Sequence, residues 1–264
     1  MMALGLTYPE ASYQGATQGV TLFLTVLVPY LLPFITLSKV FIRSLTSRNK
    51  QMSSFWLYGL AAIGGYPNGA LLVKQAMLQG HVKAPSLLFA ALQFPSPMFL
   101  IAFVGVSLLQ NQLLGILLYG AIHCINFVFF LFWRLSNDQQ TAPRPMSSVK
   151  AASFFGSITE TLTIIAVSVI VSSAIAEIVI QSLTLPPYLG ALLYGMLELS
   201  AGMGQLASLD APLLYYGIVL GFSSLSIHLQ NFLLIRGLGI SFGPYWLSRV
   251  LTVGVLAWLL MMLD

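Results

Sequence analysis

Apolar residues along the chain gather into long runs separated by shorter polar stretches. The runs lie at residues 20 to 38, 54 to 73, 86 to 109, 113 to 133, 158 to 181, 188 to 208, 212 to 234 and 245 to 262. A helix that crosses a bilayer needs about 20 predominantly apolar residues. The pattern therefore predicts an all-α polytopic membrane protein.

Composition supports the same class. The 264 residues are 58% hydrophobic and only 7% charged, with a mean hydropathy of +0.89, whereas soluble domains carry roughly 25% charged residues. The single cysteine, Cys124, lies inside an apolar run, which excludes a disulfide framework and a cysteine metal site. We expect no cofactor and no metal. The net charge of +4 comes from scattered cations without a basic tract, so we expect no nucleic-acid partner.

The cations give the topology, because Lys and Arg favour cytoplasmic loops. If all eight runs cross while the 39 to 53 loop is cytoplasmic, five of the eleven cations fall outside: Lys74, Lys83, Arg134, Arg144 and Lys150. If the runs at 54 to 73 and 188 to 208 instead re-enter as hairpins, all eleven fall inside, Arg236 and Arg249 included. We prefer the hairpin arrangement. The alternative is that both runs are kinked but continuous helices.

Each proposed hairpin contains residues that interrupt helices. The hinge or hairpin-tip candidates are Gly65, Pro67 and Gly69 in the first hairpin and Gly202 and Gly204 in the second. Backbone groups freed at membrane depth are tolerated only where protein or a water-filled cavity satisfies them. The interrupted segments are therefore expected to face protein or a water-filled cavity rather than lipid.

The hairpin arrangement predicts two similar halves. Residues 20 to 133 and 158 to 264 each contain a crossing, a hairpin and two further crossings, joined by a cytoplasmic linker at 134 to 157 and preceded by an extracytoplasmic segment at 1 to 19. Three crossings per half make the second half enter from the opposite face. This is an inverted repeat, and interrupted segments at matching positions point to a transporter's binding site.

Glu198 is the deepest carboxylate, at the eleventh residue of a 21-residue run. A buried carboxylate either finds partners or takes up a proton. We consider a role in proton or cation coupling, together with the adjacent Ser200, and equally a purely structural role in capping the broken backbone.

The passage GFSSLSIHLQNF at 221 to 232 is unusually polar for an apolar run. On a helix, Ser223, Ser226 and Gln230 would share one face, and His228 would lie on the adjacent face with Asn231. The pattern favours a polar cavity over hydrogen bonding between helices.

Two further polar residues lie at breaks. Ser96 stands between two prolines, each of which frees a backbone carbonyl one turn earlier, and Asn68 stands between Pro67 and Gly69. Asn68 could contact a solute or cap the second arm of the first hairpin. The substrate-binding or ion-coupling candidates are Asn68, Ser96, Glu198, Ser200, Ser226, His228 and Gln230.

Several passages together resemble the YlbJ-like sporulation integral membrane proteins, which carry the nucleoside-recognition (Gate) domain. They are VPYLLPF at 28 to 34, GGYPNGA at 64 to 70, PSPMFLIAFVG at 95 to 105, LELSAGMGQLA at 197 to 207 and SSLSIHLQ at 223 to 230. The resemblance implies a bacterial membrane protein with two Gate-like halves, related to segments of concentrative nucleoside transporters and of the ferrous-iron transporter B membrane part. It highlights Pro67, Glu198, Ser226, His228 and Gln230.

The sequence contains no H-E-x-x-H, G-x-S-x-G or P-loop motif, so we expect no enzyme. We expect a multi-pass protein of the bacterial inner membrane that acts as a secondary transporter or permease for a small polar solute, with a proton or cation as a second ligand. The alternative is a non-transporting membrane scaffold. The sequence leaves open a homo-oligomer.

Overall fold

The computed structural model describes residues 7–47, 54–78, 82, 84–137 and 154–263. All regular secondary structure in these ranges is helical. The α-helices are α1 (Pro9–Leu22), α2 (Val28–Ser47), α3 (Ser54–Gly64), α4 (Asn68–Leu78), α5 (Pro85–Ala91), α6 (Gln112–Asn137), α7 (Phe154–Ser182), α8 (Pro187–Leu197), α9 (Leu199–Ser208), α10 (Leu213–Phe222), α11 (Leu225–Ile235) and α12 (Gly243–Met261). Phe23–Leu27 and Met98–Leu108 are wound as π-helices.

Five stretches in the described part of the chain are long and apolar enough to cross a membrane. They are Pro9–Leu37, Gln112–Ser136, Ile158–Ser182, Leu213–Ile235 and Gly243–Met261. Together with the helical secondary structure, they confirm the expected class, an all-α multi-pass membrane protein.

The first helix is longer than its apolar run. It starts at Pro9 rather than near residue 20, and α1, the π-turn and α2 follow one another without a gap to Ser47. Two glycines explain why α1 packs closely on α7: a Cβ added at Gly15 would lie 2.7 Å from the Ala174 Cα, and one at Gly19 would lie 2.8 Å from the Ile170 Cα. Because α1 contains several polar residues, the pattern of apolar runs did not predict that the helix begins before residue 20.

The first hairpin, α3 and α4, breaks where the sequence predicts. Gly65 adopts a φ of +61°, a left-handed conformation that favours glycine, and the Tyr66–Pro67 bond is cis. Beyond the break, the Asn68 Nδ2 donates to the Leu60 carbonyl at 3.1 Å. In a continuous helix these residues would be about 12 Å apart along the axis, so the chain turns sharply here.

The second hairpin, α8 and α9, turns at Glu198, which has an extended backbone with φ −135° and ψ 117°. The two arms meet at Gly195 and Gly202, where a Cβ added at Gly202 would overlap the Gly195 Cα. A continuous helix would separate these glycines by about 10 Å. The chain therefore folds back on itself, and it does so at Glu198, a turn before Gly202.

Two more apolar runs are interrupted. Residues 92–97 separate α5 from the π-helix Met98–Leu108. Ser223 and Ser224 separate α10 from α11, both with positive φ, +77° and +68°. Residues other than glycine rarely adopt this backbone conformation. It costs of the order of 1–3 kcal/mol and often occurs at functional positions. The largest hydrophobic core contains residues of both hairpins and both interrupted runs.

Candidate functional site

A cavity lies where the hairpin turns and the interrupted runs come together. Its empty volume is about 450 Å³, which includes its opening to the surroundings. Its polar lining comes from Tyr66 of the first hairpin, from Ser96 in the 92–97 break, from Glu198 and Ser200 of the second hairpin, and from Ser226 and Gln230 of α11. Five of the seven predicted binding or coupling residues thus line one cavity.

The rest of the cavity lining is apolar. Leu27 and Leu31 contribute from the first long helix, Ile165 and Val169 from α7, and Phe99 from the π-helix. An apolar lining with a few hydrogen-bonding groups is typical of pockets for small molecules, whose few polar groups fix the orientation of the ligand.

Glu198 is 1% exposed and is the only carboxyl-bearing residue among the described residues that line the cavity. Its Oε2 accepts a hydrogen bond from the Ala201 backbone N–H at 2.7 Å, so the side chain caps α9. A carboxylate is favoured at a helix N-terminus by the exposed N–H groups and by the helix dipole. The capping role that the sequence suggested is therefore present, and it holds the carboxyl group against the cavity.

Ser226 and Gln230 share the cavity face of α11, as their spacing predicts. The Ser226 hydroxyl is 2.9 Å from the Ser224 hydroxyl. Gln230 is only 4% exposed, and it lines the cavity together with Ser226.

Ser96 and Asn68 serve partly as structural partners. The Ser96 Oγ accepts a hydrogen bond from the Phe99 N–H at 3.2 Å at the start of the π-helix, while the residue also lines the cavity. Asn68 is 1% exposed and binds the Leu60 carbonyl as described above. It does not line the cavity.

His228 also lies away from the cavity. Its Nδ1 is 2.6 Å from the Tyr245 hydroxyl, and its ring packs edge-on against Phe222 and beside Trp246. His228 and Asn231 were predicted to share a helix face, and both contact the same residue, since the Asn231 Nδ2 also donates to the Tyr245 hydroxyl, at 3.4 Å. Both side chains are directed at α12 rather than at a solute.

The predicted hinge glycines are close-packing positions more than flexible ones. A Cβ at Gly65 would overlap the Ser96 backbone N, and one at Gly69 would overlap the Leu92 carbonyl. The tip of the first hairpin is therefore fitted tightly into the 92–97 break. Gly204 is different, because a Cβ added there would have no described atom within 4 Å apart from its chain neighbours and the backbone of its own helix.

Arg249 lies inside the protein rather than at its surface. We counted it among the cytoplasmic cations, yet it is a residue of α12 and is only 1% exposed. Its Nη1 donates to the Tyr66 hydroxyl at 2.8 Å and to the Ser223 Oγ at 2.9 Å, and its Nη2 donates to the Gln93 carbonyl at 2.8 Å. Longer contacts reach Asn126 and Ser248.

The partners of Arg249 explain why a cation is tolerated at this position. All of the described partners are neutral oxygens, and three belong to breaks: Tyr66 to the first hairpin, Gln93 to the 92–97 break and Ser223 to the α10–α11 break. Breaks leave hydrogen-bonding groups that a helix does not satisfy, and the five N–H donors of a guanidinium can satisfy several at once. Arg249 therefore connects three breaks through hydrogen bonds.

A sequence signal for this network exists. Tyr245, Ser248, Arg249 and Thr252 follow the i, i+3, i+4, i+7 pattern of one helix face, and all four are buried. Polar residues on one stripe of an apolar helix face the protein rather than lipid. We missed the stripe because we read Arg249 only as a loop cation.

Comparisons with protein-family models, with curated proteins and with solved structures give no match. The resemblance to YlbJ-like Gate proteins therefore stays a prediction.

Proposed function

We propose that this chain is a secondary transporter or permease for a small polar solute, and that the cavity is its solute site. The observation that carries the proposal is the meeting of the two hairpins with both interrupted runs around one cavity. Irregular backbone at membrane depth is tolerated where it lines a cavity. In transporters, such discontinuous helices form the substrate site.

The hairpin lengths support a site near the middle of the membrane. The arms Ser54–Gly64 and Pro187–Leu197 each contain 11 residues. At about 1.5 Å per residue these arms are roughly 15–16 Å long, about half of a hydrocarbon core of roughly 30 Å. Two hairpins entering from opposite faces would meet near the midplane.

The order of elements supports an inverted repeat. From α2 to α6 the chain forms a long helix, a hairpin, an interrupted run and a long helix, and from α7 to α12 it forms the same series. With both hairpins re-entrant, each half crosses the membrane three times, so the second half is inverted. This arrangement also agrees with the cytoplasmic loop cations other than Arg249.

The lining indicates the class of solute. Ser200, Ser226 and Gln230 offer neutral donors and acceptors, and Glu198 offers an acidic group. A buried carboxyl group can exchange a proton or bind a cation. The proposed cycle is therefore solute binding in the cavity, coupled to a change in the charge of Glu198.

Uptake into proteoliposomes tests the proposal. A panel of labelled small polar solutes is offered with and without a pH gradient, and the same preparation is made with Glu198→Gln and with Glu160→Gln, an exposed carboxyl on α7. We expect gradient-dependent uptake with the wild type and Glu160→Gln but not with Glu198→Gln. Unchanged pH-coupled uptake by Glu198→Gln would remove Glu198 from the mechanism, and no uptake of any solute would favour the membrane scaffold.

A further inference from the structure

A second polar feature lies outside the cavity, between α1, α7 and α8. It is a row of polar side chains, here called the seam. The Tyr194 hydroxyl donates to the Gln18 Oε1 at 2.9 Å. Farther along the same seam, the Gln181 Nε2 donates to the Gln14 Oε1 at 3.0 Å and to the Glu177 Oε1 at 2.9 Å. Gln14, Gln18 and Gln181 are exposed, so one end of this seam opens to the surroundings.

Two buried hydroxyls lie on α7 about one turn inward from Glu177. Ser172 and Ser173 are both 0% exposed. The Ser172 Oγ has no hydrogen-bond partner within the described part of the chain, whereas the Ser173 side chain makes a hydrogen bond with the Tyr194 phenol. Buried polar atoms are normally paired, and ordered water is the usual partner when protein supplies none. The unpaired Ser172 hydroxyl therefore indicates water at this position.

The inner end of the seam reaches Glu198. Tyr194 is one turn before Glu198, and its backbone carbonyl accepts a hydrogen bond from the Glu198 backbone N–H at 2.7 Å. Tyr194 also packs with Ala176 and Ala201, and the Ala201 N–H is the donor to the Glu198 carboxylate. The Tyr194 phenol is close enough to interact electrostatically with the carboxyl groups of both Glu177 and Glu198.

The position of Gln181 indicates which face of the membrane the exposed end of the seam reaches. Gln181 lies at the α7 end that connects to Pro187, the base of the second hairpin. In the proposed topology this base is on the extracytoplasmic side. From Gln181 to Ser172 the axial distance is about 13 Å, so the buried hydroxyls lie close to the depth of the hairpin turn.

We propose that this seam is a hydrated proton path between the extracytoplasmic face and Glu198, formed by Glu177, Gln18, Tyr194, Ser172 and Ser173. The inference rests on the proposed function, in which Glu198 changes its charge. A proton enters from water near Glu177, moves through the waters held by Tyr194 and the two serines, and ends on the Glu198 carboxylate, which becomes neutral. The solute enters the cavity separately, on the side of Ser226 and Gln230.

Reaction with silver ions tests the path, because Ag⁺ is close to water in size and binds thiols. Ser173→Cys and Ser172→Cys are each made in a Cys124→Ala background, and Ag⁺ is added from the extracytoplasmic side. After quenching and denaturation, maleimide reports the thiols that remain free. The matched control is Val171→Cys, one residue away on the outer surface of α7, 36% exposed and facing lipid in the proposed arrangement.

We expect Ag⁺ to abolish later maleimide labelling of Ser173→Cys and Ser172→Cys while Val171→Cys stays labelled. If both serine variants stay labelled like Val171→Cys, the path is wrong. Ser226→Cys, treated in the same way, reports the cavity. Protection at the two serines with reaction at Ser226→Cys would overturn the path and leave the proposed function intact.

Discussion

The Arg249 Nη1 donates to the Tyr66 hydroxyl at 2.8 Å, which joins the last helix of the chain to the turn of the first hairpin. Tyr66 in turn lines the cavity. The same guanidinium binds Ser223 and Gln93, so one side chain fixes three of the four breaks in the described chain. The geometry of the cavity therefore depends on a residue that does not line it.

Replacing Arg249 by leucine should destabilise the fold severely. The change leaves several buried oxygens without a donor, and each buried polar group left unsatisfied typically costs about 1–3 kcal/mol. The measurement is the unfolding transition of purified protein in detergent. Arg236→Leu, at an exposed position, is the control and should change the unfolding free energy by no more than about 0.5 kcal/mol. Equal effects of the two substitutions would contradict the account.

Gly202→Ala should weaken the second hairpin, whereas Gly204→Ala should not. An added Cβ at Gly202 would overlap the Gly195 Cα, while one at Gly204 would have no described atom within 4 Å outside its own helix backbone and chain neighbours. Overpacking typically costs about 1–3 kcal/mol, and Gly→Ala in a free helical position gains up to about 1 kcal/mol. The two variants should therefore shift the thermal unfolding midpoint in opposite directions. A destabilised Gly204→Ala with a normal Gly202→Ala would refute the close contact of the arms.

The sequence predicted these features to different extents. Apolar runs and the Gly/Pro break placed the first hairpin correctly, and the isolated depth of Glu198 identified a residue of the cavity. The turn at Glu198 was misplaced toward Gly202, because glycine was read as a breaker when the close approach to Gly195 is what requires it. A break can form at a non-glycine residue when its side chain caps the next helix, as Glu198 does.

Long-range contacts account for most of what the sequence could not give. The spacing of Ser226 and Gln230 was enough to place them on one face, but the helix assumed for 221 to 224 is broken at Ser223. Which face of α11 meets the cavity depends on Tyr245, whose hydroxyl holds His228. No local sequence pattern predicts that Tyr245 is the partner of His228. The polar stripe of α12 does indicate that Tyr245 faces the protein interior.

Glu198→Gln and Glu198→Ala should separate the capping role from the coupling role. Glutamine keeps an oxygen that can accept the Ala201 N–H, so its unfolding midpoint should stay near that of the wild type. Alanine removes the cap at a cost of about 1 kcal/mol. Both variants should lose pH-coupled uptake. If only Glu198→Ala lost it, Glu198 would act in transport through structure alone.

Labelling from each side of the membrane should establish the topology of the first hairpin. With a re-entrant α3 and α4, a cysteine at Ala84 in the Cys124→Ala background reacts with an impermeant reagent only from the cytoplasmic side, and one at Asp210 only from outside. Eight full crossings would put both positions outside. Labelling at position 84 therefore distinguishes a re-entrant first hairpin from eight full crossings. Labelling at position 210 confirms the orientation of the vesicles.

The central claim is that water reaches a cavity between the two hairpins. Its most direct test is the reaction of Ser226→Cys, in the Cys124→Ala background, with a small water-soluble thiol reagent in intact membranes. Val250→Cys, 67% exposed on the outer surface of α12, is the lipid-facing control. The account predicts that Ser226→Cys reacts and Val250→Cys does not; a Ser226→Cys thiol as protected as that of Val250→Cys would contradict it.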